Sequence, residues 1–581
     1  MGGRMIATKP LSYRITTEAL DQCVTQIDAS GVPDLLEDCH RRQARGTGRP
    51  AGVRFSLLAV LACGLVLVRI GRVPSIAEIH RVIVSLDDQQ LTLVGMAGQR
   101  PSPDSYRAFA AWLTRYLRPL DSGADIPARR VSNREHAARL ASRTQEQLEA
   151  ANQAAALSHE VVNRLVQASI EDLIPQDYKG DVVADETIID LAKAGNGLGT
   201  RPEKNRGAAS CAEYYVRDKR GVPKRTGSAE HIRKAAIGIG VTAVARIGEP
   251  KALHKIPPVI TGIAIHTPTS GSVQGLEQAL AAHRLRCAPP QTARSRWPHL
   301  VVDMGYNQKR GFTASMVAQR LSPVVRYPAH WRTALPHPDS SLGPVQIARA
   351  FYCPVAAEIT AAQSMVRKTA DLLDKDEFRR QDALLRRVLP LMMGTNSRPH
   401  FVQPRSGRPR KDATDQQAVA QEFVCPAVQG RVVCPLKPGS ELRAADDAPR
   451  LSPSWEASRY TCCSKSQVKI TFSDDQVRMA QWGLPAGSWE HALLYEAARS
   501  LTEQRFSISK SHHTSGFNDL SWSPRREPMI KLIIALQFME ANRVIQRAWE
   551  RRDGRVDSWH RRWKQLREDV GSEPMRIPAR T

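Results

Sequence analysis

The chain has 581 residues, with 83 Lys plus Arg against 58 Asp plus Glu and a formal net charge of +25. That length calls for more than one domain and a sizeable core, and a positive field that large makes nucleic acid the expected partner over a merely soluble basic protein. The longest apolar run, Leu57–Val68, is twelve residues, a helix of roughly 18 Å, which excludes a bilayer span of ~30 Å there.

Met1–Leu20 carries no apolar signal core, and ten cysteines without an export signal point to reduced thiols in a cytoplasmic protein with no membrane partner. Arginine clusters at Arg41–Arg49, Arg405–Lys411, Arg525–Arg526 and Arg551–Arg562 spread the charge along the chain, which suits a surface that tracks a long backbone.

Residues 1–130 read as a helical domain. Arg54–Val68, Ser75–Leu86 and Ser105–Leu117 have helical apolar patterning, with Ser75 and Ser102 as candidate caps. A compact basic bundle suits a DNA-binding module, and a plain scaffold bundle is nearly as good a reading. Residues 131–175 form a helical connector, whose stretch Val131–Leu173 reads as one long polar helix for connection or oligomerisation.

Strand patterning begins at Asp181–Asp190 and continues through Ala212–Arg217, Ala235–Ala245 and Pro258–His266. A helix at Gly271–His283, a strand at His299–Asp303, a helix at Gly311–Leu321 and a strand at Ser322–Tyr327 follow. With one early β-rich stretch taken as a loop, the order is three strands, helix, strand, helix, strand: an α/β mixed sheet with covered faces. Residues 328–487 interrupt it as an insertion with a charged helix (Glu358–Val388), a Pro/Arg loop (Ser397–Lys411) and a cysteine-bearing β-like stretch. The core resumes over 488–550 with helices Tyr495–Lys510 and Met529–Trp549, and 551–581 is a charged, ragged basic tail.

Three acids stand out. Asp185 lies inside an apolar strand, Asp303 ends another, and Glu503 sits on a helix. Strand ends facing a sheet crevice are where α/β sites gather. Phosphodiester chemistry needs an activated nucleophile and a stabilised leaving oxygen, which two hard divalent ions held by carboxylates supply. Arg499 and Lys510 lie four before and seven after Glu503, near one helical face, where basic groups can reach phosphates. Glu496 is the competing third acid. Glu186 should face away from Asp185 across the sheet, and with Asp190 reads as structural.

On these residues the chain resembles a DDE-type insertion-sequence transposase with an RNase H-like catalytic core. One large group of that family carries a Tyr, Arg, Glu, Lys signature. Arg499, Glu503 and Lys510 match its spacing, whereas Tyr495 stands one residue too far from Arg499. The 200 positions from Asp303 to Glu503 accommodate the domain that this group inserts. The resemblance implies catalytic and metal-binding roles for Asp185, Asp303 and Glu503 with two Mg²⁺ or Mn²⁺ ions. It implies DNA contacts by Tyr495, Arg499 and Lys510, double-stranded transposon ends and target DNA as partners, and a homodimer at synapsis. The expected activity is cleavage at terminal inverted repeats and joining to target DNA. The alternatives are an RNase H-like nuclease without strand transfer and a catalytically inactive DNA-binding derivative.

Other residues carry weaker signals. Cys425 and Cys434 opposite Cys462 and Cys463 could make a structural zinc site, with buried free thiols as the competing reading. Gly407-Arg408-Pro409 with Arg405, Arg410 and Lys411 resembles a minor-groove arm but reads first as a solvated basic loop. His512 and His513 read as exposed loop histidines and Trp522 as core packing, with phosphate contact and base stacking as their functional alternatives.

Overall fold

The computed structural model describes residues 13–43, 55–127, 131–191, 209–219, 230–292, 295–307, 309–326, 335–336, 341–348, 350–361, 375–402, 418–473, 476–477, 482–511, 519–520, 526–551 and 558–579. The basic loop at 405–411, His512, His513 and Trp522 lie outside them.

The N-terminal helices are α1 (Thr17–Ala29), α2 (Val32–Gln43), α3 (Leu57–Arg69), α4 (Ile76–Ser85), α5 (Asp88–Leu93) and α6 (Tyr106–Tyr116). The apolar run forms α3, and every residue from Leu57 to Val68 except Leu58 is buried. Such all-round burial needs partners on several sides, and α1, α4 and a C-terminal helix supply them. Ser75 caps α4, accepting from the Glu78 N–H at 3.1 Å. Ser102 does not cap with its side chain; it precedes a short 3-10 turn through Pro103, where its carbonyl takes the Ser105 hydroxyl.

The expected single helix over 131–173 is two, α7 (Asn133–Ala141) and α8 (Gln145–Ala168). Thr144 opens the second with a capping box that pairs it reciprocally with Gln147, which favours a fresh start over continuation. Nor is α8 a free connector, for reasons given by the sheet.

The central sheet is mixed α/β. Its strands are β1 (Val182–Leu191), β2 (Glu213–Asp218), β3 (Ile232–Arg246), β4 (Ile260–His266), β5 (His299–Val302) and β6 (Ser322–Val325), in the order β2-β3-β1-β5-β6 with β4 also on β3. Strand β3 is antiparallel to β1, β2 and β4, whereas β5 runs parallel to β1 and β6 parallel to β5. No early β-rich stretch is a loop: β3 is long enough to pair with β2 along its first half and β4 along its second. The crossover helices are α9 (Ser272–Arg286), then the short α10 (Met304–Asn307) and α11 (Phe312–Ala318).

Strand β4 leaves an open edge, and side-chain amides cover it. Asn163 bonds both the N–H and the carbonyl of Ile263, Asn542 does the same for Ile260, and Gln167 donates to the Thr261 carbonyl. Pairing an edge in this way removes a template for aggregation. It also explains why α8 is polar where it is buried.

The intervening segment holds α12 (Val355–Ala361) and α13 (Lys375–Val388), with 362–374 between them outside the described residues, so the expected helix Glu358–Val388 is described only at its ends. It also holds a three-stranded antiparallel sheet, β7 (Leu335–Pro336), β8 (Val345–Ile347) and β9 (Ala350–Tyr352). A four-stranded one follows, β10 (Gly394–Thr395), β11 (His400–Val402), β12 (Ala418–Val424) and β13 (Gln467–Thr471), with the short α14 (Thr461–Ser464) beside it. The chain then returns through α15 (Trp489–Lys510), β14 (Asp519–Leu520), which pairs parallel with the end of β1, and α16 (Glu527–Glu550).

The described part of the C-terminal tail, 558–579, is not ragged. Ser558–Val570 forms α17, whose Trp559, Trp563 and Leu566 are buried at helical spacing against α13. Beyond it the Met575 N–H bonds Asp382 of α13 at 2.7 Å and the Ile577 N–H bonds Glu490 of α15 at 3.1 Å. Charge masked a three-residue apolar stripe that only burial reveals. Among the described residues no helix is long and apolar enough to cross a membrane.

Candidate active site

Strand register sets the site. Val183 of β1 pairs with Val301 of β5 in parallel. Asp185 and Asp303 each lie two residues further on, so they are side by side on the same face. The ladder stops before them, and the two carboxylates stand where the strands begin to part.

The register is pinned at the strand entrances by Asp181, a residue to which sequence reasoning gave no role. Its carboxylate accepts the His299 main-chain N–H at 2.6 Å, lies 3.0 Å from the His299 ring and takes two bonds from Arg296 at 2.9 and 2.5 Å. Burial works to raise its pKa, but the His299 and Arg296 bonds outweigh burial and hold it below the usual range. Asp181 thus ties β1 to β5 four residues before Asp185. The only sequence signal was an acid at the start of an apolar strand; its partners Arg296 and His299 lie more than a hundred positions away.

Helix α15 covers this face, touching β1, β5 and β6. Gly487 at φ 87° and Ser488, whose hydroxyl accepts the His491 N–H, start it. Its buried stripe runs through Leu494, Ala498, Leu501, Arg505 and Ser509, and Arg499 and Glu503 rise along the rim. Arg499 donates to Asp185 at 2.8 Å and to Glu503 at 3.4 Å. The side chain of Glu503 is 70% exposed, that of Asp185 only 16%. Burial raises the Asp185 pKa, the Arg499 cation opposes it, and the Asp303 charge adds to the rise. Asp303 accepts the Gly305 N–H at 2.8 Å, and a Cβ at Gly305 would stand 3.0 Å from its carboxylate, so glycine leaves that oxygen approachable.

The other expected residues fall around this group. Tyr495 is buried, stacked on His491, with its pKa pushed up to about 12 by burial. Lys510 lies over the Phe506 ring at 5.6 Å, half-buried and within electrostatic reach of Asp185. Glu186 points away from Asp185, as alternation requires. It accepts from the Thr269 N–H at 3.1 Å and from the Ser272 hydroxyl, at the start of α9. Asp190 pairs with Tyr215 and Lys234. Glu496, the competing third acid, lies on the same helix seven residues before Glu503.

Two adjacent carboxylates with a guanidinium seated against one of them form a site for positive charge. Hard divalent cations suit this donor set. Among the described residues no three His, Cys, Asp or Glu side chains already stand in a metal-holding arrangement, so Glu503 would have to turn inward to join the pair. Comparison with protein-family models, curated proteins and solved structures gave no match.

Proposed function

We propose that this chain is a DDE-type transposase with an RNase H-like core, acting on double-stranded DNA ends by metal-dependent phosphoryl transfer. The observation that carries the reading is the in-register pair Asp185 and Asp303, with Arg499 of α15 reaching from Asp185 to Glu503. The sheet, in which β3 joins β1, β2 and β4 in antiparallel fashion and β5 and β6 continue from β1 in parallel, supports it, as does the net charge of +25.

Asp185, Asp303 and Glu503 would hold two Mg²⁺ or Mn²⁺ ions, which when bound activate the attacking oxygen and stabilise the leaving one. The chain's own groups orient the substrate. Arg499 neutralises Asp185 in the DNA-free protein and, once freed, can turn its planar fork to a phosphate. Lys510, burial lowering its pKa, is a second cation aimed at the same crevice. Two such chains would be needed to hold two DNA ends.

The test is a plasmid carrying a marker between the DNA segments that flank the gene, scored for excision and for joining to a target. Asp185→Asn, Asp303→Asn and Glu503→Gln should each abolish cleavage and joining while retaining DNA binding. Normal cutting by Glu503→Gln would overturn the triad. Cutting without joining would favour a nuclease, and binding without cutting by the unaltered chain would favour an inactive derivative.

A further inference from the structure

Five of the ten cysteines converge in the intervening segment. Cys353 follows β9, Cys425 follows β12, Cys434 lies nine residues on, and Cys462 and Cys463 sit in α14. All five are buried free thiols, and all line one cavity of about 10 Å³.

Three of the five are each followed by proline: Cys353-Pro354, Cys425-Pro426 and Cys434-Pro435. Proline has no N–H and bends the chain, so the next amides turn back on the sulfur. The Val355 N–H points at the Cys353 sulfur, those of Ala427 and Val428 at Cys425, and that of Leu436 at Cys434. Sulfur in a thiol is a weak acceptor. Burial pushes all three thiols up and keeps them protonated, while the four amides aimed at the sulfurs oppose that rise and would favour the thiolate once a cation neutralises it. Cys463 accepts a hydrogen bond from the Cys462 thiol, and the buried indole N–H of Trp455, which has no other partner among the described residues, is directed at it.

The charge balance points the same way. Lys437 is buried at 8% exposure beside this cavity, donating to the Lys465 carbonyl at 2.6 Å. No carboxylate pairs with it among the described residues. A buried cation without a counter-charge costs several kcal/mol. A tetrathiolate zinc centre carries a net double negative charge and would supply that counter-charge.

We propose that Cys353, Cys425, Cys434 and Cys463 bind one structural Zn²⁺, with Cys462 bonding to the Cys463 sulfur from outside the ligand set. This replaces Cys462 of the set expected from spacing with Cys353, and it does not rest on the transposase reading. The sulfurs are not in ligand geometry as they stand. Because all of them line the same cavity, closing on an ion requires side-chain rotation, and each ligating thiol releases its proton on binding. A cavity of about one water's size suits a single ion. The centre would lock β9, β12 and α14 together, joining the two small sheets.

The full chain, purified without chelator, is assayed for metal by mass spectrometry and then titrated with zinc. About one zinc per chain is expected, the stoichiometry of a closed four-ligand site. Cys425→Ser and Cys463→Ser should fall towards zero, whereas Cys462→Ser and Cys287→Ser, the latter altering a buried cysteine outside the cluster, should keep it. Cobalt exchanged into the unaltered protein should give the absorption of a tetrahedral thiolate complex, a readout free of any folding defect in the variants. Zinc near zero both before and after titration would overturn the proposal, as would retention by Cys425→Ser or iron in place of zinc. Loss in Cys462→Ser with retention in Cys353→Ser would overturn the ligand set.

Discussion

The crevice at Asp185 and the cysteine cluster at Cys425 are both places where residues far apart in sequence bring several ionisable groups together, and they are built oppositely. In the crevice, two parallel strands hold two carboxylates in register and leave a third, Glu503, on an exposed helix rim. Their cation, Arg499, is a side chain that can leave. In the cluster, turns hold the sulfurs, every cysteine is buried, and the neighbouring cation, Lys437, is itself buried and tied to a main-chain carbonyl. The first arrangement keeps an entrance for substrate and tolerates incomplete satisfaction. The second excludes solvent and pays only if it is closed. The difference separates a site that works from a site that holds.

If that distinction is right, substitutions should divide function from stability. The largest effect belongs to Asp185→Asn and Asp303→Asn, whose cleavage rate should drop by more than about a hundredfold, at least the loss from one missing preorganised electrostatic contact. Their melting temperature should not fall. Burial raises the Asp185 pKa, so its charge opposes folding; its stabilising contribution is present in acid and is lost as pH rises through that raised value. A matching drop in stability would make the crevice a structural centre like the cluster and break the comparison.

Asp181→Asn comes next, at about 3 kcal/mol of stability, because it leaves a buried network short of its anion. Asp181 has a depressed pKa, so its contribution is present above the unfolded value of about 3.9 and is lost as pH falls through the folded one. The variant should therefore show a flatter loss of stability below about pH 4 in denaturation followed against pH. Cleavage should also fall, since β1 and β5 would lose the tie that aligns Asp185 with Asp303. Full activity at reduced stability would show that the register survives without it.

Arg499→Gln should be milder. Removing a guanidinium worth about 1 kcal/mol to the acids should raise Mn²⁺ affinity of the DNA-free protein about three- to tenfold in calorimetry, while weakening DNA binding. Unchanged metal affinity would mean that Arg499 does not stand where a cation binds. The smallest effect is Ser75→Ala, which removes the α4 cap at about 1 kcal/mol and should leave cleavage and metal content untouched.

The sequence by itself determined the elements that depend on near neighbours. The apolar run 57–68 had to be a buried helix, Ser75 had to start one, and acids set in apolar runs marked β1 and β5. Arg499 four residues before Glu503 determined that the two share a helical face. Local periodicity and capping are written within a few residues, so they are legible there. Only the tertiary structure decided that Asp181 pins the strand register, that amides of α8 and α16 cover β4, and that the charged C-terminus packs three apolar residues on α13. It alone brought Cys353 to the other cysteines, across more than seventy positions, and set Arg499 against Asp185 across 314. Those contacts follow from which surfaces bury each other, a property of the whole packed chain that no local window contains.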